Sequence, residues 1–258
     1  MSYSLEEEIL GYQFIEYGEF GRPKYLILGL PDAGIVGPIA ASHIVRSLKL
    51  SDVLGIESYG YIPPAAIIQG SSIKYPMRIY SNGEVSVLIT DVPPVPSGIV
   101  PLASAIVEFS RKRGIDHIIS ISGIGNPSRA EIDKPNVYYL TTTQESLKLI
   151  EPIQNDLKPF PDGIIVGPYA IILKESVRRK VNNLLLLSDA FTEIPDPEAA
   201  AEIVKIISYI INIKIDVSQL LQEAETLRLR LQGLAKETND VLAKVGKGYE
   251  YRTPLIYS

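Results

Sequence analysis

Three aspartates occupy the positions in this sequence that are best suited to acid–base chemistry or metal binding. Asp32, Asp91 and Asp189 each follow a short apolar run that predicts a buried strand. In open α/β sheets, ligands bind beyond the carboxyl ends of the strands, so these carboxylates could meet there. Together they could hold a divalent metal ion or a ribose, or act as acid and base. An aspartate in a strand-end loop more commonly accepts backbone hydrogen bonds, and we favour that structural interpretation.

Two glycine-rich turns are the other candidates for ligand chemistry. The stretch 29–37 could cradle a phosphate at the start of a helix, and 123–126 has a similar composition. Neither contains the lysine and hydroxyl residue of a phosphate-binding loop or the dinucleotide fingerprint. We interpret their glycines as permitting tight turns and close packing of helix on sheet. His43 and His117 are each isolated, so the sequence assigns no catalytic residue, no cofactor and no metal ligand.

Composition and charge restrict the class of protein. The chain has 258 residues, 46% of them hydrophobic, with a net charge of −5 and no cysteine. An acidic chain is poorly suited to non-specific binding of nucleic acid or of an anionic membrane. The lack of cysteine excludes disulfides and thiolate metal sites. The N-terminus is acidic where a secretory signal would be basic, and no apolar run is long enough for a membrane span, so we expect a soluble cytoplasmic protein.

The elements that would position these residues follow from hydrophobic patterning. Uniformly apolar strands separated by helix-length segments predict a mostly parallel sheet with helices on both faces. Asn82-Gly83 predicts a hairpin, and therefore some antiparallel pairing. We expect a three-layer α/β/α sandwich with a mostly parallel mixed sheet over residues 1–212. The predicted strands are 12–15, 25–28, 53–56, 65–68, 77–80, 85–90, 118–122, 137–141, 163–166 and 184–187, and a capped helix begins at Asp196-Pro197-Glu198.

The C-terminal segment has a different pattern. Apolar residues at spacings of three and four predict a heptad helix over residues 213–245, of the coiled-coil kind that assembles copies of a chain. Gly246 and Gly248 favour a stop, and residues 246–258 are expected to form a flexible tail. These apolar residues form one seam along the helix. The seam is compatible with a bundle of three to five helices or with antiparallel packing of helices. The predicted oligomerisation residues are Val217, Leu220, Leu227, Leu231 and Leu234.

The last three residues, Ile256, Tyr257 and Ser258, could form a docking element. An apolar side chain, a tyrosine and a free α-carboxylate can fill a pocket that has a lysine at its floor. Several tails displayed on one oligomer would bind several pockets with avidity.

Two stretches resemble the archaeal branch of the proteasome assembly chaperone family. The turn Leu28–Gly37 is similar to that family's glycine-bearing strand-turn-helix. The ending 256–258 fits the hydrophobic-tyrosine-any sequence by which proteasome-binding partners dock between α-subunits. The resemblance implies a fold akin to nucleoside phosphorylases without their reaction, and homo-oligomers built through the C-terminal helices. It also implies tails that insert into the α-ring of the proteasome core particle. By position, Ile256 would be the hydrophobic anchor, Tyr257 the ring in the groove and Ser258 the carboxylate donor.

The leading hypothesis is therefore an oligomeric assembly chaperone or activator of the proteasome, ATP-independent because the sequence has no ATPase loop. Whether it assists assembly, activates a finished proteasome or delivers substrates is left open. The alternative is an enzyme acting on a nucleoside or small phosphorylated ligand around Asp32, Asp91 and Asn126. A third hypothesis is a purely structural oligomer whose tail has no partner.

Overall fold

The computed structural model of the chain describes residues 5–226. Three of the predicted oligomerisation residues, Leu227, Leu231 and Leu234, lie outside the described residues, as do the predicted tail 246–258 and its docking residues. Within the described residues, no helix is both long and apolar enough to cross a membrane.

The described chain alternates strands and helices. The helices are α1 (Val36–Ser47), α2 (Ile99–Lys112), α3 (Gln144–Lys148), α4 (Pro168–Arg179), α5 (Pro197–Ile210) and α6, which begins at residue 218 and is described to residue 226. The strands are β1 (Leu5–Ile9), β2 (Tyr12–Glu16), β3 (Tyr25–Gly29), β4 (Ser51–Glu57), β5 (Ile67–Gln69), β6 (Ser72–Lys74), β7 (Met77–Ser81), β8 (Val85–Thr90), β9 (His117–Gly125), β10 (Val137–Thr141), β11 (Lys158–Pro159) and β12 (Asn183–Ala190).

Ten of these strands form one mixed sheet in the order β1-β2-β4-β7-β8-β3-β9-β12-β10-β11. The central strands β8, β3, β9 and β12 pair in parallel. On one side of them, β1, β2, β4 and β7 add antiparallel pairs, and β7 also pairs antiparallel with β8. On the other side, β10 pairs antiparallel with β12. The Asn82-Gly83 turn joins β7 and β8 as an antiparallel hairpin, as predicted. The predicted α/β class with a mixed sheet is confirmed.

Helices cover both faces of the sheet, which explains why the central strands are uniformly apolar. Along β3, Ile27 contributes to the core beneath α1 and α5, whereas Leu26 and Leu28 contribute to the core beneath α2 and α4. Successive side chains of a strand point to opposite faces, so a strand covered on both sides needs apolar residues at every position.

The helix start at Asp196 is also as predicted. The Asp196 carboxylate accepts a hydrogen bond from the backbone N–H of Ala199 at 3.0 Å, and Pro197 occupies the first helical position. A capping carboxylate of this kind satisfies an amide that has no partner within the helix.

The predicted strand at 163–166 is wrong. The structure has no strand there, and the side chains of Ile164 and Val166 are 88% and 82% exposed. The apolar run is bounded by Pro161 and by Gly167, whose φ of 83° turns the chain directly into α4. No neighbouring described strand pairs with it, so its β-forming residues have no ladder to join.

The packed domain continues beyond residue 212. The Ser208 hydroxyl donates to the Ile213 carbonyl at 2.7 Å and accepts from the Ile215 amide at 3.0 Å. Leu220, on α6, is fully buried in the same core as α1 and α5, and Val217 packs against that core. These two positions of the predicted seam therefore make contacts within their own subunit.

Candidate functional site

The glycine-bearing stretch Leu28–Gly37 connects the end of β3 to the start of α1 at the carboxyl edge of the sheet. Gly34 and Ile35 adopt left-handed backbone conformations, with φ of 66° and 51°. A Cβ added at Gly37 would lie 2.7 Å from the Leu30 carbonyl oxygen. The glycines thus serve the turn and the close approach of helix to sheet, which is the structural role predicted for them.

Replacing Gly29 by alanine tests this close approach. Its added Cβ would lie 2.3 Å from the Cβ of Ala41 on α1, so α1 must move away from β3. We expect the free energy of unfolding, measured by denaturant titration, to fall by about 1–3 kcal/mol. Gly60→Ala is the matched control because an added Cβ there meets nothing within 4 Å. Equal stability of the two variants would contradict the packing described here.

The Asp32 carboxylate ties this turn to the neighbouring strand and helix. It accepts a hydrogen bond from the Gly123 amide at 2.7 Å, and the Gly37 amide lies 3.2 Å from each of its oxygens. Nearby, the buried Tyr169 hydroxyl donates to the Leu28 carbonyl and accepts from the Leu30 amide, both at 3.1 Å. Burial raises the pKa of Asp32 to about 7, although the backbone hydrogen bonds from Gly123 and Gly37 oppose the rise.

This raised pKa predicts a pH dependence of stability. An unfolded aspartate titrates near pH 4, so between about pH 4 and 7 the folded chain binds a proton that the unfolded chain has lost. The contribution of Asp32 to the free energy of unfolding therefore falls as pH rises through that interval. Asp32→Asn keeps one acceptor oxygen and removes the titration, so its stability should fall less steeply with pH than that of the natural chain.

Chemical denaturation at several pH values between 4 and 8 measures this difference. Asp162→Asn, at an exposed position, is the control and should retain the slope of the natural chain. If Asp32→Asn also retained that slope, the assignment of the proton to Asp32 would be wrong.

The other strand-end carboxylates have separate partners. The buried Asp189 side chain accepts from the Asn126 side-chain amide at 3.1 Å and from the Asn136 side-chain amide at 2.7 Å. Asp91 forms an ion pair with Arg78 at 2.5 Å. Among residues 5–226, no three acidic or histidine side chains come together as a group that could hold a metal ion. Asp32 and Asp189 thus accept hydrogen bonds from their own chain, as the structural interpretation predicted.

A small pocket of about 120 Å³ opens beside these loops. It is lined by apolar side chains and Thr90, including Leu30, Pro94 and Pro168, and not by Asp32, Asp91 or Asn126. Small-molecule sites generally occupy about 300–1,000 Å³, so this pocket is too small for a nucleoside. It gives the enzymatic alternative no support.

Sequence reasoning missed Arg129, which is only 2% exposed. Its guanidinium donates to both oxygens of Asp196, at 2.7 and 3.1 Å, and to Glu198 at 2.7 Å. A further bond to the Ile132 carbonyl at 3.0 Å holds the loop after β9 against the start of α5. No local pattern marks an arginine in such a loop as buried, because its acidic partners lie more than sixty residues away.

Comparison with known proteins gives consistent matches along most of the chain. The sequence model described as the PAC2 family matches residues 26–235. Two uncharacterized proteins of Methanocaldococcus jannaschii are similar. MJ0106 is 27% identical and covers 90% of this chain and 93% of its own length; MJ1210 is 26% identical and covers 84% and 85%.

Two solved structures from Pyrococcus furiosus share the fold. PbaA, described as an archaeal homolog of proteasome-assembly chaperone, is 25% identical with a TM-score of 0.77, covering 90% of this chain and 95% of PbaA. PbaB, described as an archaeal proteasome activator, is 22% identical with a TM-score of 0.73, covering 88% of this chain and all of PbaB. At that identity, the similarity to PbaB establishes the fold alone.

Proposed function

The chain belongs to the PAC2 family, and from this premise we propose that it is an ATP-independent proteasome-binding protein, an assembly chaperone or activator. The observation that carries the proposal is the similarity to PbaA over nearly the whole of both chains. The partner would be the α-ring of the proteasome core particle, and the place of action the cytoplasm.

The proposed contact is made by the C-terminal tail. Ile256 would be the apolar anchor, the Tyr257 ring would fill a groove between α-subunits, and the Ser258 carboxylate would pair with a lysine. Each contact is small, so useful affinity requires several tails on one assembly. We propose a homo-oligomer of three to five copies, held together by Leu227, Leu231 and Leu234 of the seam.

The base of the C-terminal helix is anchored to the domain, which supports this arrangement. Nε2 of the buried His43 on α1 lies 2.7 Å from the Asp216 carbonyl oxygen, within hydrogen-bonding distance. Asp216 in turn accepts from the Ser218 amide at 2.9 Å at the start of α6. With Leu220 buried two residues later, α6 leaves the domain from a fixed point. A fixed origin limits how the seam of one copy can meet that of another.

Co-sedimentation of the purified full chain with purified archaeal α-ring tests the proposal. We expect the chain to sediment with the ring in a saturable manner without nucleotide, and to stay in the supernatant when the ring is omitted. Binding that required ATP would contradict the ATP-independent mechanism, and a lack of binding in either condition would contradict the function.

A further inference from the structure

A second, larger pocket lies beside Asp189, the strand-end carboxylate of β12, because its lining residue Asn136 donates a hydrogen bond to that side chain. It has a volume of about 430 Å³ and is bounded by the start of β10, the β11 segment and one side of α5. Val137 and Leu157 are its buried apolar lining, and Ile153 and Ile206 are partly buried there. Tyr209, which is 49% exposed, completes an apolar surface large enough for a small organic molecule.

The charged groups around this pocket have an excess of lysine. Three lysines and two acids line it, which leaves a local formal charge of +1 on a chain whose net charge is −5. The Glu202 carboxylate is already held by two of the lysines, Lys205 at 2.5 Å and Lys134 at 3.4 Å. The other acid, Asp156, is exposed to solvent.

The third lysine, Lys158, is positioned without an acidic partner. Its ammonium donates to the side-chain oxygen of Asn136 at 2.7 Å, and it forms no ion pair within the described residues. The amide nitrogen of the same Asn136 side chain donates to Asp189 at 2.7 Å, and its backbone N–H donates to the same oxygen at 3.2 Å. A carboxylate that is 4% exposed thus orients the amide, and the amide orients the lysine.

We propose that this pocket binds a small monocarboxylate with an apolar body. The ligand carboxylate pairs with Lys158, where a charge-assisted hydrogen bond is available, and its hydrocarbon part covers Ile153 and Ile206. Asn136 and Asp189 are positioning residues for Lys158. The site lies on the α/β domain and does not use the C-terminal tail, so the proposal is independent of the proposed proteasome function.

Binding of 4-phenylbutyrate to the full chain, followed by NMR of ¹³C-labelled isoleucine methyl groups, tests the site. The acid should shift the signals of Ile153 and Ile206 in a saturable manner. Its uncharged counterpart 4-phenylbutan-1-ol should bind at least tenfold more weakly. Lys158→Gln should weaken binding of the acid by a similar factor and leave binding of the alcohol unchanged. Lys112→Gln, at a lysine of α2 on the opposite face of the sheet, should change the affinity for neither compound.

Two results would overturn the proposal. One is the absence of saturable shifts at these isoleucines in the natural chain. The other is an affinity for the acid that is the same in Lys158→Gln as in the natural chain, since the carboxylate would then be bound elsewhere or not recognised.

Discussion

Replacing Arg129 by alanine is expected to lower the free energy of unfolding by about 3–5 kcal/mol. The side chains of Arg129 and Asp196 are 2% and 1% exposed, so the substitution leaves a buried carboxylate without its cation. Asp196 would still accept from the Ala199 and Phe191 amides, which cannot replace a bidentate guanidinium. Denaturant unfolding followed by circular dichroism measures the loss.

Two comparisons distinguish loss of the buried ion pair from the effect of removing any arginine side chain. Arg178→Ala removes an exposed partner of Glu175 and should leave the unfolding midpoint close to that of the natural chain. Adding Asp196→Asn to Arg129→Ala should recover part of the loss, because asparagine caps a helix well and carries no charge to bury. A loss no larger than that of Arg178→Ala would refute the buried ion pair.

Tyr257→Ala should weaken binding to the α-ring at least thirtyfold, or about 2 kcal/mol for each contact. Buried aromatic side chains dominate the energy of small interfaces, and the proposed docking element contains one tyrosine. Because the tails act together on one oligomer, the oligomer should lose more apparent affinity than a single isolated tail would lose through the same substitution. Surface plasmon resonance against immobilised α-ring measures the change.

Thr253→Ala is the matched control, since it alters the same tail four residues before Tyr257. It should bind as the natural chain does. If Tyr257→Ala and Thr253→Ala bound equally well, the tyrosine would not be the anchor, and another surface would carry any affinity for the ring.

The parallel centre of the fold could be predicted from sequence because burial on both faces leaves a strong pattern. The runs at 25–28 and 184–187 are apolar at every position, and both became central strands. The hairpin at Asn82-Gly83 could be predicted equally well, since these two residues favour the backbone conformation of a tight hairpin turn. By contrast, β1 has three consecutive glutamates, Glu6 to Glu8, and was not predicted. Charged residues are common on edge strands, where they discourage pairing with other chains.

What the sequence could not supply were contacts between distant segments. The run 163–166 is apolar enough for a strand, yet lacks a neighbour to pair with. Leu220 fits a heptad seam equally well whether it faces another copy or its own domain, and only the packing of α6 distinguishes these. The same limit applies to Arg129 and to Lys158, whose environments depend on Asp196 and Asn136 brought near by the fold.

The same distinction between local geometry and distant contacts applies to the candidate sites. The structural role of the glycines at 29, 34 and 37 was predictable because turn geometry is local. The separate hydrogen-bond partners of Asp32 and Asp189 were predictable only as a preference, and their identities came from the fold. The docking role of Ile256, Tyr257 and Ser258 and the oligomerising role of Leu227, Leu231 and Leu234 stay predictions, because these residues lie outside the described ones.

Native mass spectrometry of the chain mixed with purified α-ring is the most direct test of tail-mediated proteasome binding. It should be applied to the full chain, to a chain lacking residues 256–258 and to one with an amidated terminus. The full chain should appear as a homo-oligomer and as a complex with the ring, whereas the altered chains should form the same oligomer and no complex. Complexes formed equally by all three, or a chain that is monomeric throughout, would contradict the proposal.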